Sequence, residues 1–432
     1  MTQAAAPADR SYRALLGVPW LARIILAMQI ARIAQSMVGL ALVLFTLGRY
    51  HSAFLTGVVT LASILPGLLV SPIAGALLDR HGRMRLVRLD YLVALLALML
   101  VGSLAILDQL PPWLLIAITT VSSLTAILSQ TGLRSLFPLI VPEHLWERVN
   151  AIDSNGYVVA TIIGPPLAAG LVGLLGGPLA LLATGGAFGL AAIAMIGIPE
   201  PLALKENEGR LLRDARDGLR YAWRNRTIRG LGLSISVLNL AGGITTIVVP
   251  LIVLDRLGFN DAVVGVVFAV SGVTGMISAL AFGRLDTRGR EWRMLVVPML
   301  LTAPAIAVLL PPAGFREIDP ALGLGLLVIW AGLSGLVTGP LDIALFTVRQ
   351  RRTDPAWMGR AFAVSMAFNF IGFPVGAAVA GVLASASLAA PVWVAIAACL
   401  LAAVFAATMI PRSDDDVAVE GTRVPQGHLE AD

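Results

Sequence analysis

Apolar residues fill twelve long stretches of the chain, and short polar turns separate these stretches. Each stretch is close to the ~20 residues that an α-helix needs to cross the hydrocarbon layer of a bilayer. The pattern therefore predicts an all-α integral membrane protein with six spans, a polar connector and six further spans. The predicted spans are Pro19–Leu47, Ala53–Leu78, Leu86–Leu107, Pro112–Val141, Asp153–Leu175, Pro178–Ile198, Ile228–Leu254, Ala262–Leu285, Met294–Leu310, Ala321–Val348, Phe362–Ser385 and Ala390–Ile410.

The composition also indicates a bilayer as the surrounding solvent. Of the 432 residues, 57% are hydrophobic and only 13% are charged, whereas a soluble domain carries about 25% charged residues. The net charge of +5 is divided among short loops, although nucleic-acid binding needs basic residues gathered on one face. We therefore expect the bilayer as a partner and no nucleic acid.

The residues that metal sites and enzymes use most are scarce. Cys399 is the single cysteine and lies in an apolar stretch, and the four histidines lie in turns or the tail without metal-ligand spacing. One cysteine can form neither an internal disulfide nor a cysteine-based metal cluster. The sequence therefore predicts a protein that is not an enzyme and that needs no metal or cofactor.

Positive residues are distributed unequally between the two sides of the predicted spans. With the N-terminus placed in the cytoplasm, 27 of the 31 Lys and Arg residues fall on the cytoplasmic side, 3 fall in outer loops and one, Arg32, lies within a span. Cytoplasmic loops of membrane proteins carry the excess of Lys and Arg. Both termini are therefore predicted to be cytoplasmic.

The two halves of the chain repeat one another. Asp79, Gly82 and Arg83 recur 207 positions later. Five positions before them recur 208 positions later: Gly57, Ser63, Gly67, Gly75 and Leu77 match Gly265, Ser271, Gly275, Gly283 and Leu285. The ordered series predicts two homologous six-helix bundles with a binding site between them, near the middle of the membrane.

The repeat also sets the division into segments. We predict a cytoplasmic N-terminal segment at 1–18, bundles at 19–198 and 229–411, a cytoplasmic linker at 199–228 and a disordered tail at 412–432. Within the linker, apolar residues recur at helical spacing among arginines from Arg210 to Trp223. Two interpretations are open: an amphipathic helix at the headgroup surface, or a plain tether between the bundles.

The turn Gly75-Ala-Leu77-Leu-Asp79-Arg80-His-Gly82-Arg83 resembles the signature loop between helices 2 and 3 of the major facilitator superfamily. The segment Gly283-Arg-Leu-Asp286-Thr-Arg-Gly289-Arg290 resembles the degenerate copy of that loop between helices 8 and 9. With the layout of six and six helices, the resemblance covers about 19–411. It implies a secondary transporter in which helices 1, 4, 7 and 10 surround a central cavity.

A finer resemblance points to bacterial drug and siderophore exporters of the plasma membrane. It rests on Arg134-Ser-Leu-Phe-Pro-Leu-Ile-Val-Pro-Glu143 near helix 4 and on Asp217-Gly-Leu-Arg-Tyr-Ala-Trp-Arg-Asn-Arg226 before helix 7. The segment Gly164-Pro165-Pro-Leu-Ala-Ala-Gly170 is similar to an antiporter motif, with alanines where that motif has paired glycines.

The signature turns could form a latch between the two halves at the cytoplasmic side. The positive N-terminal end of helix 11 favours an acid such as Asp79, and the start of helix 5 could accept Asp286 in the same way. Arg80, Arg83 and Arg85 could bond exposed carbonyls or neighbouring acids, which would favour the outward-facing state, and Arg290 belongs to the copied turn of the latch. The alternative is that these arginines only enforce topology.

Arg32 is the only charged residue near the middle of a predicted span. Its insertion costs at least ~2.5–3.5 kcal/mol, which disfavours a lipid-facing, unpaired arginine. Gln29, Arg32 and Ser36 share one helical face and are expected to line an interior cavity. Arg32 would bind an anionic group or hold a carboxylate in a coupling network; the alternative is a structural arginine tied to carbonyls.

Helix 10 carries Trp330, Ser334, Thr338 and Asp342 at intervals of four, which predicts one polar stripe. Asp342 is the best candidate for proton coupling, or else it pairs with an arginine in the following loop. Similar positions on the other central helices are expected to line the same cavity: Ser122, Gln130, Ser236 and Asn239.

Proline next to glycine or phenylalanine interrupts three spans, and these sites are candidate bending points or static kinks. They are Gly164-Pro165, Gly339-Pro340 and Phe373-Pro374. Because few polar residues lie at depth, the cavity should suit lipophilic or amphipathic solutes. We expect a monomeric exporter driven by inward proton flow; uptake, lipid flipping or a transport-inactive sensor are the alternatives.

Overall fold

The described part of the chain contains twelve long helices, and their bounds follow the predicted spans. They are α1 Leu21–Tyr50, α2 Ala53–His81, α3 Arg83–Ile106, α4 Pro112–Ile140, α5 Trp146–Leu175, α6 Gly177–Ala194, α7 Arg226–Leu251, α8 Asp261–Phe282, α9 Glu291–Ala307, α10 Pro320–Arg351, α11 Met358–Ala384 and α12 Ala389–Met409. A short helix, Tyr12–Leu16, precedes them.

The structure is a computed structural model that describes residues 11–199, 219–221, 223–284, 287, 289–315, 317–352 and 358–412. At some helical positions, Asp79 and 358–367 among them, only the backbone is described. The predicted disordered tail and most of the predicted linker helix lie outside these residues. All regular structure in the described part of the chain is helical, which confirms the predicted fold class.

Ten of the described helices are long enough and apolar enough to cross a membrane. The two others are shorter by the same measure: α9 has 17 residues, and the apolar part of α11 is Phe368–Ala384. A helix can cross a bilayer because hydrogen bonds within the same segment satisfy its backbone N–H and C=O groups.

The helices pack in the same pattern in both halves. In the first half α1 packs on α5 and α6, α4 packs on α2 and α3, and α3 packs on α6; in the second half α7 packs on α11 and α12, α10 packs on α8 and α9, and α9 packs on α12. Two further pairs, α2 with α11 and α5 with α8, join the halves. The fold is therefore two equivalent six-helix bundles with two seams between them.

The signature turn is as tight as its glycines predict. Helix α2 ends at His81 and α3 begins at Arg83, so the single residue Gly82 reverses the chain with a φ of 92°. Gly289, its equivalent in the second half, has a φ of 74°. Side chains strongly disfavour this backbone region, so glycine is required at both turns.

Close helix contacts at one end of the bundles depend on glycine. We call the end at which α1 begins the arginine-rich end and the opposite one the arginine-poor end. Near the arginine-poor end, a Cβ added to Gly57 of α2 would lie 2.6 Å from the Ala377 carbonyl oxygen of α11. A Cβ on Gly265 of α8 would lie 2.8 Å from the Ala169 Cβ of α5. These two repeat-equivalent glycines close both seams.

Replacing Gly57 with alanine should therefore destabilise the protein, by about 1–3 kcal/mol if the added methyl group overpacks the seam. Gly39→Ala is the matched control, because no atom beyond its chain neighbours and the backbone of its own helix lies within 4 Å of the position that its Cβ would occupy. In a helix, alanine is otherwise favoured over glycine by about 0.5–1 kcal/mol. Thermal unfolding in detergent compares the two variants; equal stability would contradict a closed α2–α11 seam.

Candidate functional site

The polar face of α10 changes from buried to exposed along the helix. Ala331 and Gly335 are buried, whereas Thr338 and Asp342, on the same face toward the arginine-rich end, are exposed. Helix α4 repeats the pattern at equivalent positions, with Thr119 and Ser123 buried and Gln130 exposed. This face is thus closed at the arginine-poor end and open at the other.

The two helices at the centre of the molecule show the same gradient. In α1, Leu40–Leu47 is fully buried, while Gln35 and Gly39 are exposed. In α7, Ile247–Leu251 is buried, while Ser236–Leu240 is partly exposed. On α1, α4, α7 and α10 alike, burial therefore decreases toward the arginine-rich end.

Arg32 is tied to helix α5. Its guanidinium forms an ion pair with the Asp153 carboxylate and donates to the Asp153 carbonyl oxygen at 2.7 Å. Asp153 is buried, although the sequence pattern indicates a position near the membrane surface. The geometry therefore matches an arginine that holds a carboxylate rather than one that waits for an anionic solute.

Two repeat-equivalent amides join the central helices to the seam helices. The Gln29 side-chain nitrogen on α1 donates to the Gly156 carbonyl oxygen on α5 at 2.9 Å. The Asn239 side-chain nitrogen on α7 donates to the Asn369 carbonyl oxygen on α11 at 2.8 Å. Sequence reasoning grouped both amides with the cavity, but a backbone acceptor leaves no signal in a sequence.

Trp330 lies apart from Thr338 and Asp342. It is buried in the core of the second bundle, where its ring meets Phe268 edge-on at a centroid distance of 6.3 Å. A helix turns 100° per residue, so positions four apart drift by about 40° at each step. Three such steps carry Trp330 away from the exposed face.

Of the four serines predicted for the cavity, Ser36 and Ser236 make close contacts with a neighbouring helix, whereas the carbonyls of Ser334 and Ser122 accept hydrogen bonds within their own helices. Ser36 lies against Gly164, where an added Cβ would come within 2.4 Å of the Ser36 Cβ, and the Ser236 carbonyl lies against Gly372. The Ser334 carbonyl accepts from the Thr338 hydroxyl at 2.9 Å. The Ser122 carbonyl likewise accepts from Thr125 at 3.1 Å.

The proline positions lie inside continuous helices. Pro340 has no N–H, so the carbonyl of Leu336, four residues earlier, loses its usual donor. The hydroxyl of Ser278 on α8 supplies a replacement bond of 2.6 Å, and Gly339 packs against the same serine. Gly164-Pro165 and Pro374 lie inside α5 and α11. Their role as bending points stays a prediction.

A buried acid on α3 escaped the sequence prediction. Asp90 is only 3% exposed and lies within hydrogen-bonding reach of Ser129 and Thr125 on α4. Its sequence position, seven residues into α3, suggests the membrane surface. The hydroxyls that bury it stand on another helix, which sequence spacing cannot reveal.

The latch residues are described only in part. Gly75 and Leu77 lie in the last turns of α2, Arg80 is exposed, and Gly283 ends α8. The side chains of Asp79 and Asp286 lie outside the described residues, so the contacts of the predicted latch are untested. Arg290 immediately precedes α9.

The sequence matches a family model over residues 24–316 and 231–426. That model describes the Major Facilitator Superfamily. The chain belongs to this superfamily. It is a membrane transporter with the twelve-helix fold, as the repeated signature turns indicate.

Known proteins resemble the chain to different degrees. A protein of Sinorhizobium fredii described as an uncharacterized MFS-type transporter is 36% identical over 88% of this chain and 92% of its own length. The multidrug efflux pump Tap of Mycolicibacterium fortuitum is 24% identical over 84% and 88%. The crystal structure of a bacterial Spinster homologue in an inward-facing conformation has a TM-score of 0.68 at 15% identity, covering 92% and 97%. That structural likeness shows the fold.

Removing one partner of the Arg32–Asp153 pair should destabilise the protein more than removing both. Arg32→Gln and Asp153→Asn each leave a mostly buried charge, which we expect to cost about 2 kcal/mol or more. The double variant should lose clearly less than the sum of the single losses. Thermal unfolding of the four purified proteins measures the coupling; strictly additive losses would mean that the pair contributes nothing.

Proposed function

We propose that this transporter exports a lipophilic or amphipathic small molecule by alternating access, driven by protons that flow inward. The observation that carries the proposal is the exposure of α1, α4 and α10 toward the arginine-rich end. We take these exposed faces to line a gap between the two bundles, and they carry few polar side chains. Gln130, Thr338 and Asp342 are exposed there, whereas the polar ends of Gln29, Arg32 and Asn239 bond to the protein. A site with so few fixed polar groups suits an apolar solute better than a sugar.

The charge distribution supports the proposed direction of transport. The positive-inside rule assigns the arginine-rich end to the cytoplasm. The gap would then be open to the cytoplasm and closed outside, which is the state in which an exporter takes up its solute. The names of two relatives, Tap of Mycolicibacterium fortuitum and macrolide efflux protein A of Streptococcus pyogenes, support export.

Asp342 is our candidate for the coupling residue. It lies on the exposed face of α10, nine residues before the helix ends. No salt bridge to Asp342 is found among the described side chains. An acid that faces a gap open to alternating sides can take a proton from one side and release it to the other. In this scheme the transporter binds a proton in the outward-facing state and the solute in the inward-facing state.

A screen of lipophilic compounds in energised cells tests this function. Cells that produce the protein should accumulate less of at least one compound than cells that lack it, and a protonophore should abolish the difference. Greater accumulation in the producing cells would instead establish uptake. A difference that survives loss of the proton gradient would exclude proton coupling.

Asp342→Asn should abolish the dependence of efflux on the pH gradient, because an amide cannot bind and release a proton in this range. Asp319→Asn is the matched control: Asp319 caps the other end of α10, where its side chain accepts from the backbone of Ala321 at 2.9 Å, and asparagine caps helices equally well. Proteoliposomes with an imposed pH gradient measure the effect. Uptake of the solute that still follows the gradient in the Asp342 variant would place coupling elsewhere.

The latch is the second part of the proposal. We propose that Asp79 binds at the start of α11 when the arginine-rich end closes, since a helix N-terminus attracts an acid. Gly82, with its positive φ, sets the turn that follows Asp79.

Asp79→Asn should therefore slow transport severalfold while expression and thermal stability stay near those of the parent. The physical reason is that the amide keeps the size of the side chain but loses the charge that favours the closed state. Initial rates of efflux in cells, normalised to the amount of protein in the membrane, measure this. A variant that transports at the parent's rate would remove the latch from the mechanism.

A further inference from the structure

A short segment before α7 presents two different stripes to its surroundings. Leu219 and Trp223, one turn apart, are 45% and 56% exposed. Arg220 and Arg224, also one turn apart and next to them, are exposed as well. We call the described residues of Leu219–Arg224 the pre-α7 segment. Its apolar stripe beside a basic stripe is the pattern of a chain that lies along a membrane surface.

The pre-α7 segment is fixed to the arginine-rich end of the second bundle. Asn225 caps α7, because its side chain accepts from the Ile228 N–H at 3.0 Å. Its amide nitrogen donates to the Arg352 carbonyl at the end of α10 at 3.4 Å. Arg229 donates to the Trp223 carbonyl at 3.2 Å. The segment therefore stays at the level where α7 enters the bilayer.

The charge of this region is entirely positive. From Leu219 to Arg229 the sequence has four arginines and no acid. Arg226 and Arg229 donate to the carbonyls of Thr408 and Trp223. In the part of the chain that the structure describes, no acid forms a salt bridge with Arg220 or Arg224.

We propose that the pre-α7 segment binds anionic phospholipid headgroups of the membrane leaflet at the arginine-rich end. A guanidinium group can form two parallel hydrogen bonds to the oxygens of one phosphate. A tether that lies free in water would make no such bonds. Tryptophan settles at the boundary between headgroups and acyl chains, and leucine beside it enters the apolar layer. The segment is thus a lipid anchor that holds the start of α7, a property separate from the proposed transport.

Fluorescence quenching by labelled lipids tests this anchor without any transported solute. Cys399 is the chain's single cysteine, so Cys399→Ala provides a background in which Leu219→Cys can carry an apolar fluorophore. The protein is placed in vesicles of phosphatidylcholine and phosphatidylglycerol in which either lipid, in matched proportion, has brominated acyl chains. Brominated phosphatidylglycerol should quench more strongly. Arg220→Gln/Arg224→Gln should remove that preference, with a loss of about fivefold in apparent affinity per arginine.

The control is Arg284→Gln/Arg293→Gln, which removes two exposed arginines from the same end of the molecule but outside the pre-α7 segment. It should keep the preference for phosphatidylglycerol. Equal quenching by both lipids in the parent would mean that the segment enters the membrane without recognising headgroups. Absence of quenching would mean a tether in water. Loss of the preference in the control would mean a general surface charge, and each of these three results overturns the proposal.

Discussion

A polar group in the hydrocarbon layer of a membrane must find its partner within the protein, because no water is available there. Arg32, Gln29 and Asn239 each obey this constraint by bonding to a carbonyl oxygen of a neighbouring helix, and Arg32 also holds the Asp153 carboxylate. These bonds engage three polar side chains of the central helices α1 and α7. Polar side chains that stay exposed on α1, α4 and α10 include Gln35, Gln130, Thr338 and Asp342.

The same bonds connect the centre of the molecule to its seams. Helix α1 bonds to α5, which packs on α8 of the other half; helix α7 bonds to α11, which packs on α2. Glycines bring the backbones into contact along these paths, as at Gly57 and Gly265. In each half, a side-chain amide thus hydrogen-bonds the central helix to a seam helix, and the seam helix contacts the opposite half through small residues.

Much of this architecture can be predicted from the sequence. Apolar length gives the twelve helices, and the repeat of Gly82 as Gly289 gives two turns that share a positive φ. The hydrogen-bond partners of the polar side chains cannot be predicted from it. Asp153 stands 121 residues from Arg32, and its near-surface position in the chain hides its burial. Backbone acceptors such as the Gly156 carbonyl cannot be recognised from the residue type. Trp330 does not share a face with Asp342, because a helix has 3.6 and not four residues per turn.

The bond from Ser278 to the Leu336 carbonyl has a mechanical consequence. Helix α8 belongs to the seam with α5, and α10 carries Asp342 one and a half turns beyond that carbonyl. The Ser278 hydroxyl hydrogen-bonds α8, a seam helix, to α10, which bears Asp342. The bond lies where Pro340 removes a hydrogen bond from the α10 backbone. In the first half the equivalent of Pro340 is Leu128, so this weak point has no twin. The hydrogen bond from Ser278 therefore connects the helix of Asp342 to the α5–α8 seam at a position that differs between the two halves.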